Sequence, residues 1–124
     1  MKKDNKGFSL VELIIVIAIM AVLVGLLAPQ YLRFVKKSKV DTDVTNGQEI
    51  ASAFNVAFAD GKISDDTYDS IPDGVNMTEF PESKVNEDYT WEVVVGLNGV
   101  SSVTLGGDQV YPTSEEYYDA NPYE

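Results

Sequence analysis

The chain has 124 residues, no cysteine, no histidine and a formal net charge of -11; this allows one small domain plus a further segment, without disulfide staples and without the commonest general base and transition-metal ligand. The charge is uneven: residues 1–39 carry seven basic side chains against Asp4 and Glu12, whereas residues 40–124 carry only Lys62 and Lys84 against 18 acids. A body this acidic repels phosphate backbones, so no direct nucleic-acid partner is expected.

The first seven residues, "MKKDNKG", are basic and polar, and they end in a glycine that lets the backbone lie extended and open to a protease. Sixteen successive residues without a polar side chain run from Leu13 to Ala28, and within residues 8–32 only Ser9, Glu12 and Gln30 interrupt the apolar character. A helix of that length is roughly 37 Å long, enough to cross a hydrocarbon core of about 30 Å. A cleaved secretory signal needs a small-x-small site after the run. Leu26-Leu27-Ala28-Pro29 is no such site, so the segment is expected to stay in the mature protein. Lys2, Lys3 and Lys6 flank it on one side, and Arg33, Lys36, Lys37 and Lys39 on the other. Charge alone therefore leaves its orientation open. A cut after Gly7 would free a positive α-amine at Phe8, and Glu12 lies four residues on, near the same helical face. A carboxylate costs about 2.5–3.5 kcal/mol at the bilayer centre and less toward an end, so Glu12 is expected to have a partner, in its own chain or on a neighbour.

The stretch "KGFSLVELIIVIAIMAVLVGLLAPQYLRF", residues 6–34, closely resembles the class III signal of type IV prepilins and pseudopilins. The shared features are a short basic leader ending in Gly7, then Phe8, a hydroxyl residue, Leu, an aliphatic residue, Glu12, and a long apolar run with Pro29 near its end. The resemblance covers under a third of the chain. It implies cleavage between Gly7 and Phe8 by a membrane aspartyl prepilin peptidase, followed by N-methylation of Phe8. It implies that Glu12 pairs with the Phe8 amine of an adjacent subunit as a filament grows. It also sets the orientation, with the leader in the cytoplasm and the head outside. The implied domain plan is a leader at 1–7, a transmembrane and filament-core helix at 8–32, and an amphipathic continuation with a small β head at 33–124.

Pro29 lacks an N–H, and its ring crowds the carbonyl of Gly25, itself a weak helix residue, so the Gly25–Pro29 turn is the expected kink or melting point. Similar pilins lose helix here when packed in a filament. Beyond it, Val40, Val44, Gly47, Ala51, Phe54 and Phe58 recur at steps of four and three, widened by Ile50 and Ala57, and form one apolar stripe. Lys39, Asp43, Asn46, Gln48 and Asn55 are assigned to the opposite face. Asp60-Gly61 is a stop signal, so one helix is predicted from about Phe8 to Ala59. The cluster Arg33, Lys36, Lys37 and Lys39 has two readings: contact with lipid head groups before assembly, and contact with acidic heads of neighbours afterwards.

Residues 60–89 are rich in Asp, Pro, Gly and Ser and read as a long surface connection with a short helix near Ser64–Ser70. "YTWEVVVGLNGVSSVTL" reads as two strands joined at Asn98-Gly99. In that register Val93, Val95 and Leu97 share a face with Val100, Ser102 and Thr104, and Val94 shares one with Val103 and Leu105. "DQVYPT" is a candidate third strand. The tail "SEEYYDANPYE" reads as a capping segment that packs its rings on the sheet, with an adhesive patch as the other reading. Many Gram-negative pilins tie this region with a disulfide, which a chain without cysteine cannot do.

No catalytic constellation is present: the chain has neither His nor Cys, no Gly-rich phosphate loop and no nucleophile elbow. Asp65, Asp66, Asp69 and Asp73 do not match an EF-hand loop and read as solvated acids. No enzymatic activity, cofactor or metal is expected. The fold class expected from pattern and resemblance together is α+β: a long N-terminal helix, apolar then amphipathic, on a small antiparallel sheet. The function implied is that of a structural subunit of a type IV pilus. Its expected partners are other pilin subunits, the prepilin peptidase, the pilus assembly machinery and the membrane before assembly; its expected final place is a surface filament. The alternatives are a pseudopilin of a type II secretion or DNA-uptake system, a signal-anchored surface domain that never polymerises, and an adhesin.

Overall fold

The computed structural model of the protein describes Gly7 and residues 9–123. Its elements, in chain order, are helix α1 (Leu10–Ala59), strands β1 (Asp66–Tyr68), β2 (Trp91–Gly96), β3 (Gly99–Leu105) and β4 (Asp108–Tyr111), and helix α2 (Glu115–Ala120). The contacts divide the chain into two compact units, Met1–Val35 and Lys36–Glu124. The fold is α+β, a long N-terminal helix and a small antiparallel sheet, as the apolar pattern and the resemblance imply.

The single helix α1 includes Pro29. Its C-terminus falls where Asp60-Gly61 predicts it. Gly61 takes a φ of 73°, its N–H donates to the Phe58 carbonyl at 3.0 Å, and the Lys62 N–H donates to the Ala57 carbonyl at 2.9 Å. This is the paired closure that a left-handed glycine makes possible at a helix end.

In the head, α1 buries Val40, Asp43, Val44, Gly47, Ile50, Ala51, Phe54 and Ala57. Most of the expected stripe is there; the exception is Asp43. The expectation put it on the solvent side, yet it has no exposed surface. Helical arithmetic explains the correction: Asp43 lies three residues after Val40 and four before Gly47, in the middle of the stripe. Asn55, assigned to the same polar face, is half-buried and accepts the Val100 N–H at 2.8 Å.

The sheet has four strands in the order β1-β2-β3-β4, every neighbouring pair antiparallel. The candidate third strand exists as β4. The short helix expected near Ser64–Ser70 does not; that stretch holds β1, which pairs Asp66, Thr67 and Tyr68 with Val95, Val94 and Val93. The open edge of β2 offers unpaired backbone groups, and Tyr68 packs its ring 5.6 Å from that of Phe54. Edge pairing and ring burial win over a helix of few residues with no apolar period.

The β2–β3 hairpin also differs from the expected register. The two turn residues are Leu97 and Asn98, with Gly96 opposite Gly99 and Val95 opposite Val100. A shift then sets Val94 opposite Ser102 and Val93 opposite Val103, leaving Ser101 as an extra residue. A one-residue bulge of this kind moves every later side chain to the other face. Val103 and Leu105 thereby join Trp91, Val93 and Val95 in the core, while Leu97 is 82% exposed. Gly99 is where this geometry needs glycine: its φ is 118°, and an added Cβ would stand 2.6 Å from the Asn55 carboxamide oxygen.

Gly47 has a different purpose, the close approach of α1 to β4. A Cβ there would lie 2.5 Å from Val110 Cγ2 and 3.3 Å from the Trp91 ring. Gly47→Ala is therefore expected to destabilise the head by about 1–3 kcal/mol through overpacking, despite the better helix propensity of Ala. Denaturant unfolding followed by Trp91 fluorescence measures this.

Candidate assembly interface

In the N-terminal unit the helix leaves its apolar side chains largely exposed among the described residues. Leu10, Ile17 and Leu26 are 73%, 54% and 64% exposed. Among the described residues it is the one helix long and apolar enough to cross a membrane by length and composition. A continuous apolar surface on this scale needs lipid or other helices.

Ser9 and Glu12 shape its start. The Ser9 N–H and hydroxyl both donate to Glu12 Oε1 at 3.1 Å, and the Glu12 N–H donates to Ser9 Oγ at 3.2 Å. Each residue thus satisfies a backbone donor of the other, the reciprocal arrangement of a capping box. The spacing Ser-x-x-Glu before an apolar run is its signal in the sequence. The predicted scissile bond joins Gly7, which is described, to Phe8, which lies outside the described residues, as does the methylation expected on Phe8. Nothing lies within 4 Å of where a Gly25 Cβ would stand, so packing within the chain does not demand glycine there.

The head unit is closed by a second polar constellation. Asp43 Oδ2 accepts the Ser83 hydroxyl at 2.6 Å, the Tyr117 hydroxyl at 2.7 Å and the Val85 N–H at 3.3 Å. Asp43 Oδ1 accepts the Lys84 N–H at 2.8 Å. One carboxylate thus joins α1, the long connection and α2. Burial, and then the hydrogen bond to Asp43, push the Tyr117 hydroxyl well above its ordinary 10.0. Tyr89 and Asn121 extend the cluster: the Tyr89 hydroxyl donates to Asn121 Oδ1 at 3.0 Å, and Asn121 Nδ2 donates to the Tyr117 carbonyl at 2.9 Å. The tail is therefore a capping segment, with the Tyr117 ring fully buried.

Nearby, on the head surface, the Tyr118 hydroxyl donates to Asp41 Oδ1, and Lys37 Nζ lies 3.0 Å from Asp41 Oδ2. Of the four cations at 33–39, Lys37 is thus engaged within its own chain. Among the described residues no group of acids is arranged to hold a metal ion, and Asp65, Asp66, Asp69 and Asp73 are exposed.

Residues 2–28 match the prokaryotic N-terminal methylation motif, and the chain has fimbrial relatives. It is 34% identical over 68 residues to a type IV major fimbrial protein, FimA, of Dichelobacter nodosus, which covers 55% of this chain and 42% of that protein. It is 29% identical over 118 residues to a fimbrial protein of Pseudomonas aeruginosa (85% of this chain, 76% of the relative). It is 33% identical over 110 residues to the fimbrial protein EcpC of Eikenella corrodens (85% and 65%). The motif and these relatives together support the type IV prepilin family. The matches to the Dichelobacter proteins span less than half of those relatives' length. No solved structure matches this chain.

Two readouts test how the tail is held. Donation from the Tyr118 hydroxyl, and after it the Lys37 ammonium, hold Asp41 below its ordinary 3.8 against partial burial. Stability from that carboxylate is present above 3.8 and lost as the pH falls through its lowered value. Burial, then Asp41, push Tyr118 up from 10.0 to about 12; its share is complete below pH 10.0 and lost as the pH rises toward 12. Near-ultraviolet circular dichroism should show the tail held from about pH 4 to 10, with Tyr118→Phe flattening the alkaline limb. Tyr117→Phe removes a hydrogen bond to a charged group and is expected to cost about 1.5–3 kcal/mol in denaturant unfolding.

Proposed function

We propose that this prepilin is a structural subunit of a type IV pilus, polymerised through its N-terminal helix. The observation that carries the reading is the exposed apolar helix with Glu12 near its start, inside the stretch that matches the methylation motif. Lipid covers that surface while the subunit waits in the membrane, head outside, and neighbouring helices cover it in the fibre. The role is structural, and its chemistry is performed on the chain by others. A prepilin peptidase cuts between Gly7 and Phe8 and the new Phe8 amine is methylated. That amine is then the positive partner for Glu12 of an adjacent subunit, which removes the cost of a carboxylate among apolar helices. The assembly machinery extracts subunits into the surface filament, where the helix between Gly25 and Pro29 opens.

The measurements are direct. Intact-protein mass is expected to show loss of residues 1–7 plus one methyl group, and an uncut chain would overturn the reading. Glu12→Ala is expected to leave the subunit in the membrane and out of sheared fibres; normal incorporation would remove the pairing role. Images of those fibres distinguish a long pilus from a short pseudopilus, and continuous helical density over residues 22–30 in the fibre would sink the proposed opening.

A further inference from the structure

On the head, Lys36 and Lys39 stand one helical turn apart on α1 and border a cleft of about 410 Å³. Its other walls are the buried Val40 and half-buried Val85, with Ala120 at the end of α2 and Asn121 and Pro122 after it. Both lysines are exposed. Unlike Lys37, neither takes part in an ion pair among the described residues. Asn121 is buried with its side chain already committed to Tyr89 and Tyr117, so the cleft's unspent polar groups are the two ammonium ions. Two cations above apolar walls complement an anion joined to an apolar body.

Chain connectivity says where such a ligand is found. Lys36 is four residues after Leu32, the end of the apolar run, so it stays within about 14 Å of it whatever the conformation between them. The polar zone of each leaflet is about 5–8 Å deep, and a lysine extends its ammonium several ångströms from its Cα. Elsewhere the head is strongly acidic and repelled by an anionic surface, so attraction has to come from this basic segment.

We propose that the Lys36–Lys39 cleft is a binding site for the phosphodiester headgroup of an anionic glycerophospholipid, used while the subunit resides in the membrane. Two ammonium groups meet the phosphate, and Val85 and Pro122 pack the glycerol and upper acyl carbons. The site rests on the membrane-resident stage proposed above and gives that stage a lipid preference. Lys37 is outside it, held by Asp41.

The test uses the full chain in vesicles of phosphatidylcholine alone and in vesicles with phosphatidylglycerol added, with lipid retained after detergent extraction counted by native mass spectrometry. Wild type is expected to retain phosphatidylglycerol selectively. The Lys36→Gln/Lys39→Gln pair is expected to lower its affinity about thirty-fold, near fivefold for each lysine at an anionic surface. Arg33→Gln, outside the cleft, is expected to keep the selective retention. Equal loss in Arg33→Gln would show attraction by the whole basic segment and overturn the site. Equal binding of soluble glycerol phosphate would make it a free-phosphate site, also overturning the proposal. Unchanged retention in the double variant, together with failed fibre assembly, would assign the lysines to a neighbouring subunit's acids instead. Failure of wild type to insert even into phosphatidylcholine vesicles would bring down the membrane-resident reading, and the site with it; insertion without selective retention would overturn the site alone.

Discussion

A carboxylate with no access to water holds the head together. Burying a charge costs several kcal/mol unless donors replace its hydration. Asp43 recovers that cost from two hydroxyls and two backbone N–H groups. These come from a connection about 40 residues along the chain and a tail 74 residues away. No single partner can be displaced without leaving the carboxylate short, so the three segments are fastened jointly. Among the described residues no buried polar side-chain atom lacks a partner, which makes the network complete and not a source of strain.

That clasp matters because the rest of the head is small. Four short strands cover one face of a helix, and no disulfide limits the unfolded chain. The aliphatic core supplies the driving force, with Ile50, Phe54, Val93, Val103 and Leu105 at 0% exposure, but it does not determine where polar connections and a six-residue helix lie. The clasp does. Gly47 allows the helix to approach β4, and Gly99 allows the hairpin to pass the Asn55 amide. The bulge at Ser101 then aims Val103 and Leu105 inward.

The N-terminal unit follows a different logic. Its helix is capped by Ser9 and Glu12, yet its apolar surface is left exposed. The head is fastened internally by directional bonds, whereas the exposed apolar helix calls for an apolar medium around it. The proposed exchange of lipid for neighbouring helices would require this separation, since the head would have to survive the transfer without relying on either environment.

Much of this was determined by the sequence alone, because those signals are local. The apolar run, the stripe from Val40 to Phe58 and the Gly61 stop each depend on residues within a few positions of one another. The resemblance carried by Gly7, Phe8, Glu12 and Pro29 likewise occupies one contiguous stretch, and the Ser9–Glu12 box was equally readable there. The tertiary structure decided the burial of Asp43, the strand at Asp66–Tyr68, the hairpin register and the seating of the tail. Each depends on more than local pattern: helical phase puts Asp43 on the stripe, but donors 40 and 74 residues away satisfy a carboxylate there, and a three-residue segment has no period. Partners brought together across tens of residues made those choices, and such partners exist only once the chain has folded.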